Sequence, residues 1–355
     1  MGLARERTAL SSFGLPPDVV ETMQGSRAGS TRAAYEARWN IFETWCCDQS
    51  PPVTAFAAPV RSVLIFLQDK LNQGLTFSTV KVYLGAISAC HEGFDGKSVG
   101  KHPLVCRFMS GAKRARPVTR ALFPAWDLEV VLGALCRPPF EPLGSADLKI
   151  LSLKTVLLVA LTTAKRVSDM HALSVSAECM RFSDDGKRVL IKPHLAFVPK
   201  NLVVAHAPVE LVAFHPPPFS STEDERLHCL CPVRALRFYC QRTATVRSSP
   251  QLFISYGQGR LRSAVAKATL SRWIVDAIKL AYASSGAPVP EGLKAHSTRG
   301  ISASWALSRG ASVQEICAAA NWVSPSTFAT FYCLDVAASS VAHAVLGVAA
   351  TSTGE

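Results

Sequence analysis

Apolar residues recur at helical spacing through the first third of the chain. Tyr35, Trp39, Phe42 and Trp45 fall on one helical face, behind an N-cap offered by Gly29-Ser30-Thr31. The same reading predicts helices over about residues 59–71, 78–91 and 103–115. Pro59 suits a first helical turn, and Thr76-Phe77-Ser78 marks a start. Residues 1–27 read as a mobile leader and residues 28–116 as a compact all-helical domain. The boundary falls at Arg116-Pro117-Val118-Thr119.

Residues 117–350 mix patterns. Leu148 to Leu161 is a strongly apolar helix, capped by Ser145 or Asp147. Residues 189–192 and 202–204 are short and rich in branched aliphatics, as in a small β-hairpin or meander. Residues 215–225 form a Pro- and acid-rich surface loop. Helices are expected over 231–242, 268–282, 295–308 and 313–320. The fold class is mostly α with a small antiparallel sheet, a helical domain followed by a mixed α+β domain.

Composition narrows the classes. A length of 355 residues leaves room for two cores, and a hydrophobic content of 48% is too high for a disordered chain. No run of eighteen apolar residues occurs, so no membrane span is expected. Met1 to Ser12 lacks the apolar stretch of a secretory signal. The eleven cysteines are odd in number and irregular in spacing, and read as reduced core thiols of a cytosolic or nuclear protein. His228, Cys229 and Cys231 are too crowded for zinc spacing, so no metal is expected.

The net charge of +12 suits a polyanionic partner, although a merely soluble basic protein could carry it too. Its placement sharpens the picture. Seven basic residues lie between Lys97 and Arg120, and no acidic residue lies between Asp95 and Asp127. Lys113, Arg114 and Arg116 are the candidates for contacts to a phosphate backbone; a solvated helix face and linker is the plain alternative.

Three short motifs carry chemistry. In Leu161-Thr162-Thr163-Ala164-Lys165-Arg166-Val167-Ser168-Asp169, Arg166 follows the apolar helix at a turn, and Asp169 can orient it or a neighbour. In Ala295-His296-Ser297-Thr298-Arg299-Gly300, an imidazole and a guanidinium three residues apart share a helix face and can hold two oxygens of one phosphate. The third motif runs from Asn321-Trp322 to Phe331-Tyr332 as helix end, turn and short helix. Each alone is also what an ordinary helix cap, surface pair or core tyrosine presents. The order and spacing of the three together are far more specific.

With these residues in place, the chain resembles the tyrosine recombinase (phage integrase) family over roughly residues 27–345. It most resembles recombinases of DIRS-type retrotransposons, which carry similar His-Ser-Thr-Arg and Asn-Trp-x-Ser-Pro blocks. The resemblance implies a SAM-like helical core-binding domain, a catalytic domain and a homo-tetramer working on two sites of double-stranded DNA in the nucleus. It needs no cofactor. Arg166 stands where the first catalytic arginine is expected, His296 and Arg299 match the His-x-x-Arg pair, and Trp322 takes a position that holds His in most members. Tyr332 stands as the nucleophile that forms a 3′-phosphotyrosyl bond. The family also uses a lysine on a β-hairpin. Lys200 is the first choice, with Lys192 its competitor and Lys187 a lesser one. Asn321 departs from the usual glycine, and the interval from Trp322 to Tyr332 is one residue longer than in the commonest pattern. A C-terminal helix over Val341 to Val348 either exchanges between neighbours or packs on its own domain. A type IB topoisomerase and a catalytically inactive DNA-binding protein are the competing readings.

Overall fold

The computed structural model of the chain describes residues 7, 10–11, 13–117, 122–199, 208–257 and 263–336. It divides into two compact units, Met1–Arg120 and Ala121–Glu355.

The first unit holds α1 (Pro17–Gly25), α2 (Gly29–Cys47), α3 (Val60–Asn72), α4 (Phe77–Cys90) and α5 (Pro103–Ala115). The aromatic stripe of α2 supplies its core. Trp39 and Phe42 are buried, and Phe42 meets Phe66 of α3 edge-on at 4.9 Å between ring centroids. Phe66 in turn meets Tyr83 of α4 at 5.6 Å. Such edge-to-face pairs contribute beyond their buried area. Trp45 keeps its indole N–H satisfied by donating to Asp69 at 3.0 Å. The hydroxyl of Thr76 accepts from the Thr79 amide and caps α4. Residues 17–25, expected within a mobile leader, form α1 with Val20 buried. Its start is set by Pro17 at the first helical position and Asp18 in the first turn.

The second unit is built around α7 (Leu148–Thr163), whose buried residues point in every direction. A helix apolar all round must be enclosed, and α10 (Pro232–Ala244) and α11 (Lys267–Ser284) pack against it. Asp147 caps α7 by accepting from the Ile150 amide at 2.7 Å. The helix α6 (Leu128–Leu135), too short to announce itself by periodicity, also packs on α11. One charge is buried in this core. The Lys154 ammonium is fully enclosed, donating to the Leu135 carbonyl at 2.7 Å and pairing with Glu141, which Arg234 also clamps through two nitrogens. Burial alone would raise the Glu141 carboxyl, but Arg234 and Lys154 outweigh it and hold it below the ordinary carboxylate range.

Strands β1 (Met180–Phe182), β2 (Arg188–Ile191) and β3 (Val209–Val212) form an antiparallel sheet in the order β1-β2-β3, pairing Met180 with Ile191 and Arg188 with Val212. Strand β2 falls where the aliphatic run predicts it. The third strand lies beyond the expected 202–204, which is outside the described residues. The expected loop at 215–225 closes as α9 (Thr222–His228), capped by Ser221 accepting from Asp224 and carrying three acidic residues in its first turn. The remaining elements are α8 (Val167–His171), α12 (Ser297–Ser308), α13 (Val313–Ala320) and α14 (Pro325–Phe331). Among the described residues, no helix is long and apolar enough to cross a membrane.

Candidate active site

Three chain segments converge on one cluster. The first is the end of α7. Ala164 adopts the left-handed conformation there (φ 46°, ψ 25°), which reverses the chain and makes Arg166 the N-cap of α8. A non-glycine residue in that region costs about 1–2 kcal/mol, so the surrounding packing enforces the turn. Arg166 is half-buried and makes no side-chain hydrogen bond or ion pair among the described residues.

The second is the start of α12. His296 is its N-cap and is exposed, whereas Arg299, one turn on, is 1% exposed. The third is the turn between α13 and α14. A capping box formed by Ser312 and Glu315 starts α13, and Asn321 ends it in the left-handed region (φ 53°, ψ 48°). That conformation favours glycine and, after it, asparagine, which accounts physically for asparagine at this position. The buried Trp322 comes next, then α14, and Tyr332 closes α14 as its C-cap.

The side chains of Tyr332, Trp322, Arg299 and His296 touch. The Tyr332 hydroxyl lies 3.2 Å from His296 Nε2. Its ring stacks on Trp322 at 4.5 Å between centroids with 29° between planes. The Arg299 guanidinium sits 5.1 Å from the Trp322 centroid and 5.2 Å from that of Tyr332, within cation–π range of both. Its Nη2 donates to the Ala320 carbonyl at 2.8 Å. Arg299 Nε and Nη1 and the Trp322 indole N–H are buried without a partner. A buried donor left unmade costs about 1–3 kcal/mol, so three in one cluster form a cradle suited to acceptor oxygens on a bound anion.

Electrostatics point the same way. Burial, with Arg166 adding to it, pushes the Arg299 guanidinium down to about 10 against the raising influence of Tyr332 and Asp169. It stays protonated at neutral pH. Partial desolvation, then the charges of Arg299 and Arg166, lower the His296 pKa. Arg166 is therefore close enough for its charge to act on both. Asp169, buried in α8, acts on Arg299 and on Lys165.

Lys165 was not singled out by the sequence. It is buried, its Nζ donates to the Ala319 carbonyl at 3.3 Å, and burial lowers its pKa. With Arg299 on Ala320, two cations hold the C-terminal carbonyls of α13, where the helix dipole favours positive charge. Its only signal in the sequence was adjacency to Arg166. Lys200, the expected hairpin lysine, lies outside the described residues, as does 341–348. Lys192 is half-buried at the end of β2 and Lys187 is exposed in the turn before it; neither is among the charges acting on His296 or Arg299. Lys113 and Arg114 are exposed on α5. Arg116, just beyond that helix, is half-buried and donates to the Leu75 carbonyl at 3.4 Å.

No family model matches the chain, and no curated protein does. Solved structures do. The Tn1549 transposon integrase in complex with transposon right-end DNA aligns over 98% of both chains with a TM-score of 0.60 at 10% identity. The same integrase with a circular-intermediate DNA aligns over 97% of this chain and 98% of that one, at a TM-score of 0.57 and 11% identity. The fold is that of the tyrosine recombinases. A lambda integrase dimer bound to a COC′ core site also aligns, over 96% of both chains at a TM-score of 0.51 and 12% identity. At such identities the likeness to recombinase structures is one of fold.

The lowered His296 pKa fixes a sign for pH dependence. Proton acceptance needs neutral imidazole, and the neutral form of a histidine with a depressed pKa persists below the ordinary value of about 6.5. A reaction in which His296 accepts a proton should therefore hold its rate as pH falls through about 6.5 and decline only below it. A pH–rate profile from about pH 8 down to about pH 5 checks this; a decline centred above about 6.5 assigns the limb to another group.

Proposed function

We propose that the chain is a site-specific DNA recombinase that cleaves and rejoins strands through a phosphotyrosyl intermediate at Tyr332. The observation that carries this reading is the Tyr332 hydroxyl, hydrogen-bonded to His296 and backed by an arginine with two unpartnered donors. In the reaction, the phenol oxygen attacks phosphorus in line and its proton passes to His296 Nε2. The bond from phosphorus to the 5′-oxygen breaks, and that oxygen takes up a proton, for which Lys200 is the candidate donor. The products are a 3′-phosphotyrosyl ester and a free 5′-hydroxyl. The ester conserves the bond energy for rejoining, so ATP is not needed. Arg166 and Arg299 offer fork-shaped donors to the non-bridging oxygens as charge builds there, and Trp322 adds a neutral one.

The partner is double-stranded DNA, with Lys113, Arg114 and Arg116 on its backbone and a homo-tetramer on two sites as the working assembly. Residues 1–27, 28–116 and 117–350 serve as leader, core-binding domain and catalytic domain. The His296–Arg299 and Asn321–Pro325 blocks favour a role in integrating a mobile element of the DIRS type, acting in the nucleus. A nicked suicide duplex tests the chemistry. Once the short strand beyond the nick diffuses away, the adduct cannot reverse, and a denaturation-resistant complex should accumulate with the DNA attached to the peptide holding Tyr332. DNA binding with no covalent complex would leave a binding protein only.

A further inference from the structure

The segment that carries Tyr332 is tied to α12 through its backbone as well as through its hydroxyl. Helix α14 ends there: the amides of Tyr332 and Cys333 both donate to the Phe328 carbonyl at 2.9 Å, and no helical ladder continues past them. Ser304 holds the chain at this point. Its side chain is buried, its Oγ donates to the Tyr332 carbonyl at 3.0 Å, and the same oxygen accepts from the Leu334 amide at 2.8 Å.

That pattern is unusual for a hydroxyl inside a helix. Buried helical serines and threonines normally return their proton to a carbonyl one turn back. Ser152, Thr155, Thr163, Thr243 and Thr298 all do so here. Ser304 spends its proton on the carbonyl of Tyr332, 28 positions away. One turn before it on the same face, Gly300 makes room for the segment. A Cβ there would lie 3.3 Å from the Tyr332 carbonyl oxygen and 3.4 Å from Leu334 Cδ1. A further tie lies downstream, where the Asp335 amide donates to the Leu122 carbonyl at 2.7 Å.

We propose that Ser304 is a positioning residue for the nucleophile, and that with Gly300 it forms a seat fixing the Tyr332 backbone on the helix that also carries Arg299. This rests on Tyr332 being the nucleophile. The phenol hangs from the Cα by two torsions, so its oxygen can be aimed only as well as its backbone is held. His296 steadies the hydroxyl end and Ser304 the backbone end, both from α12. In-line attack tolerates little error, since a misplacement of about 1 Å costs on the order of a hundredfold. Loss of one tie of two hydrogen bonds, with the rest of the segment still anchored, is expected to cost about tenfold.

The test is single-turnover cleavage of the suicide duplex at saturating DNA by the full chain. Ser304→Ala is expected to form the covalent complex about tenfold more slowly, with DNA affinity close to that of the unaltered chain and a thermal midpoint only modestly lower. Ser304→Thr, which keeps the hydroxyl, should restore most of the rate. Gly300→Ala crowds the same segment from one turn earlier on the same helix face and should also slow cleavage without weakening binding. Unchanged cleavage in Ser304→Ala overturns the seat, whatever Gly300→Ala does. So does a loss in Ser304→Ala that tracks a lowered midpoint and recovers on cooling, because that is a fold defect. An unaltered chain that binds DNA but forms no adduct overturns the assignment of Tyr332 first, and the seat with it. An adduct that forms normally in Ser304→Ala and vanishes in Tyr332→Phe overturns the seat alone.

Discussion

Tyr332→Phe is expected to bind DNA as the unaltered chain does and to form no covalent complex at all. The ring makes three contacts that the substitution keeps: the stack on Trp322, the tilted contact with His296 and the face presented to the Arg299 guanidinium. The hydroxyl has a single partner in the cluster, His296 Nε2. Removing it leaves one exposed imidazole nitrogen free to bond water, so the fold should lose little, on the order of 1 kcal/mol. On the proposed reading, the chemistry loses its nucleophile entirely. Denaturing gels of the trapped complex, read beside a binding titration and a thermal melt, check all three parts. A persistent adduct would place the attacking group elsewhere, and peptide mapping of that adduct would identify it. Phe331, next to it, is 69% exposed and cannot serve.

Arg166→Ala is expected to slow cleavage by about 10²–10³-fold, the usual cost of one donor to a developing oxyanion. The fold should tolerate the change. The side chain holds no other group in place among the described residues, and the N-cap position at 166 is not stabilised by a side-chain hydrogen bond. The effect should fall on the chemical step, with little on the melting midpoint. Arg166 also acts at a distance: its charge helps to lower the pKa of His296 and of Arg299. In Arg166→Ala the His296 pKa should therefore rise, and the acid limb of the residual activity should move to higher pH. A cleavage rate within a few-fold of the unaltered chain would remove Arg166 from the transition state, and an unmoved acid limb would remove it from the neighbourhood of His296.

Helices were legible in the sequence wherever local rules suffice. Pro103 starts α5 and the Ser312–Glu315 box starts α13, and both helices have the bounds read from the sequence. The apolar run at 148–161 announced the central helix. It did not announce that Lys154 within it would be enclosed, because that depends on Glu141 and Arg234 arriving from elsewhere in the chain. The sheet was only partly legible. Strands of three or four residues carry too little periodicity to mark their ends, and their pairing is settled by a partner strand and by burial.

The order of residues alone settles local matters. It placed an arginine at a turn after a buried helix, set His296 one helical turn from Arg299, and put a tyrosine at the end of a short helix. Each rests on near-neighbour backbone geometry, which a few consecutive residues dictate. Folding had to bring the three segments together, set Arg299 against two stacked rings with unpartnered donors, and carry Lys165 to the end of the helix leading to Trp322. Folding also turned the Ser304 hydroxyl away from its own helix to hold the backbone of Tyr332. Those features join residues that lie tens to more than a hundred positions apart. No spacing rule encodes such a contact, because it exists only once the hydrophobic cores have closed and brought the segments within reach of one another.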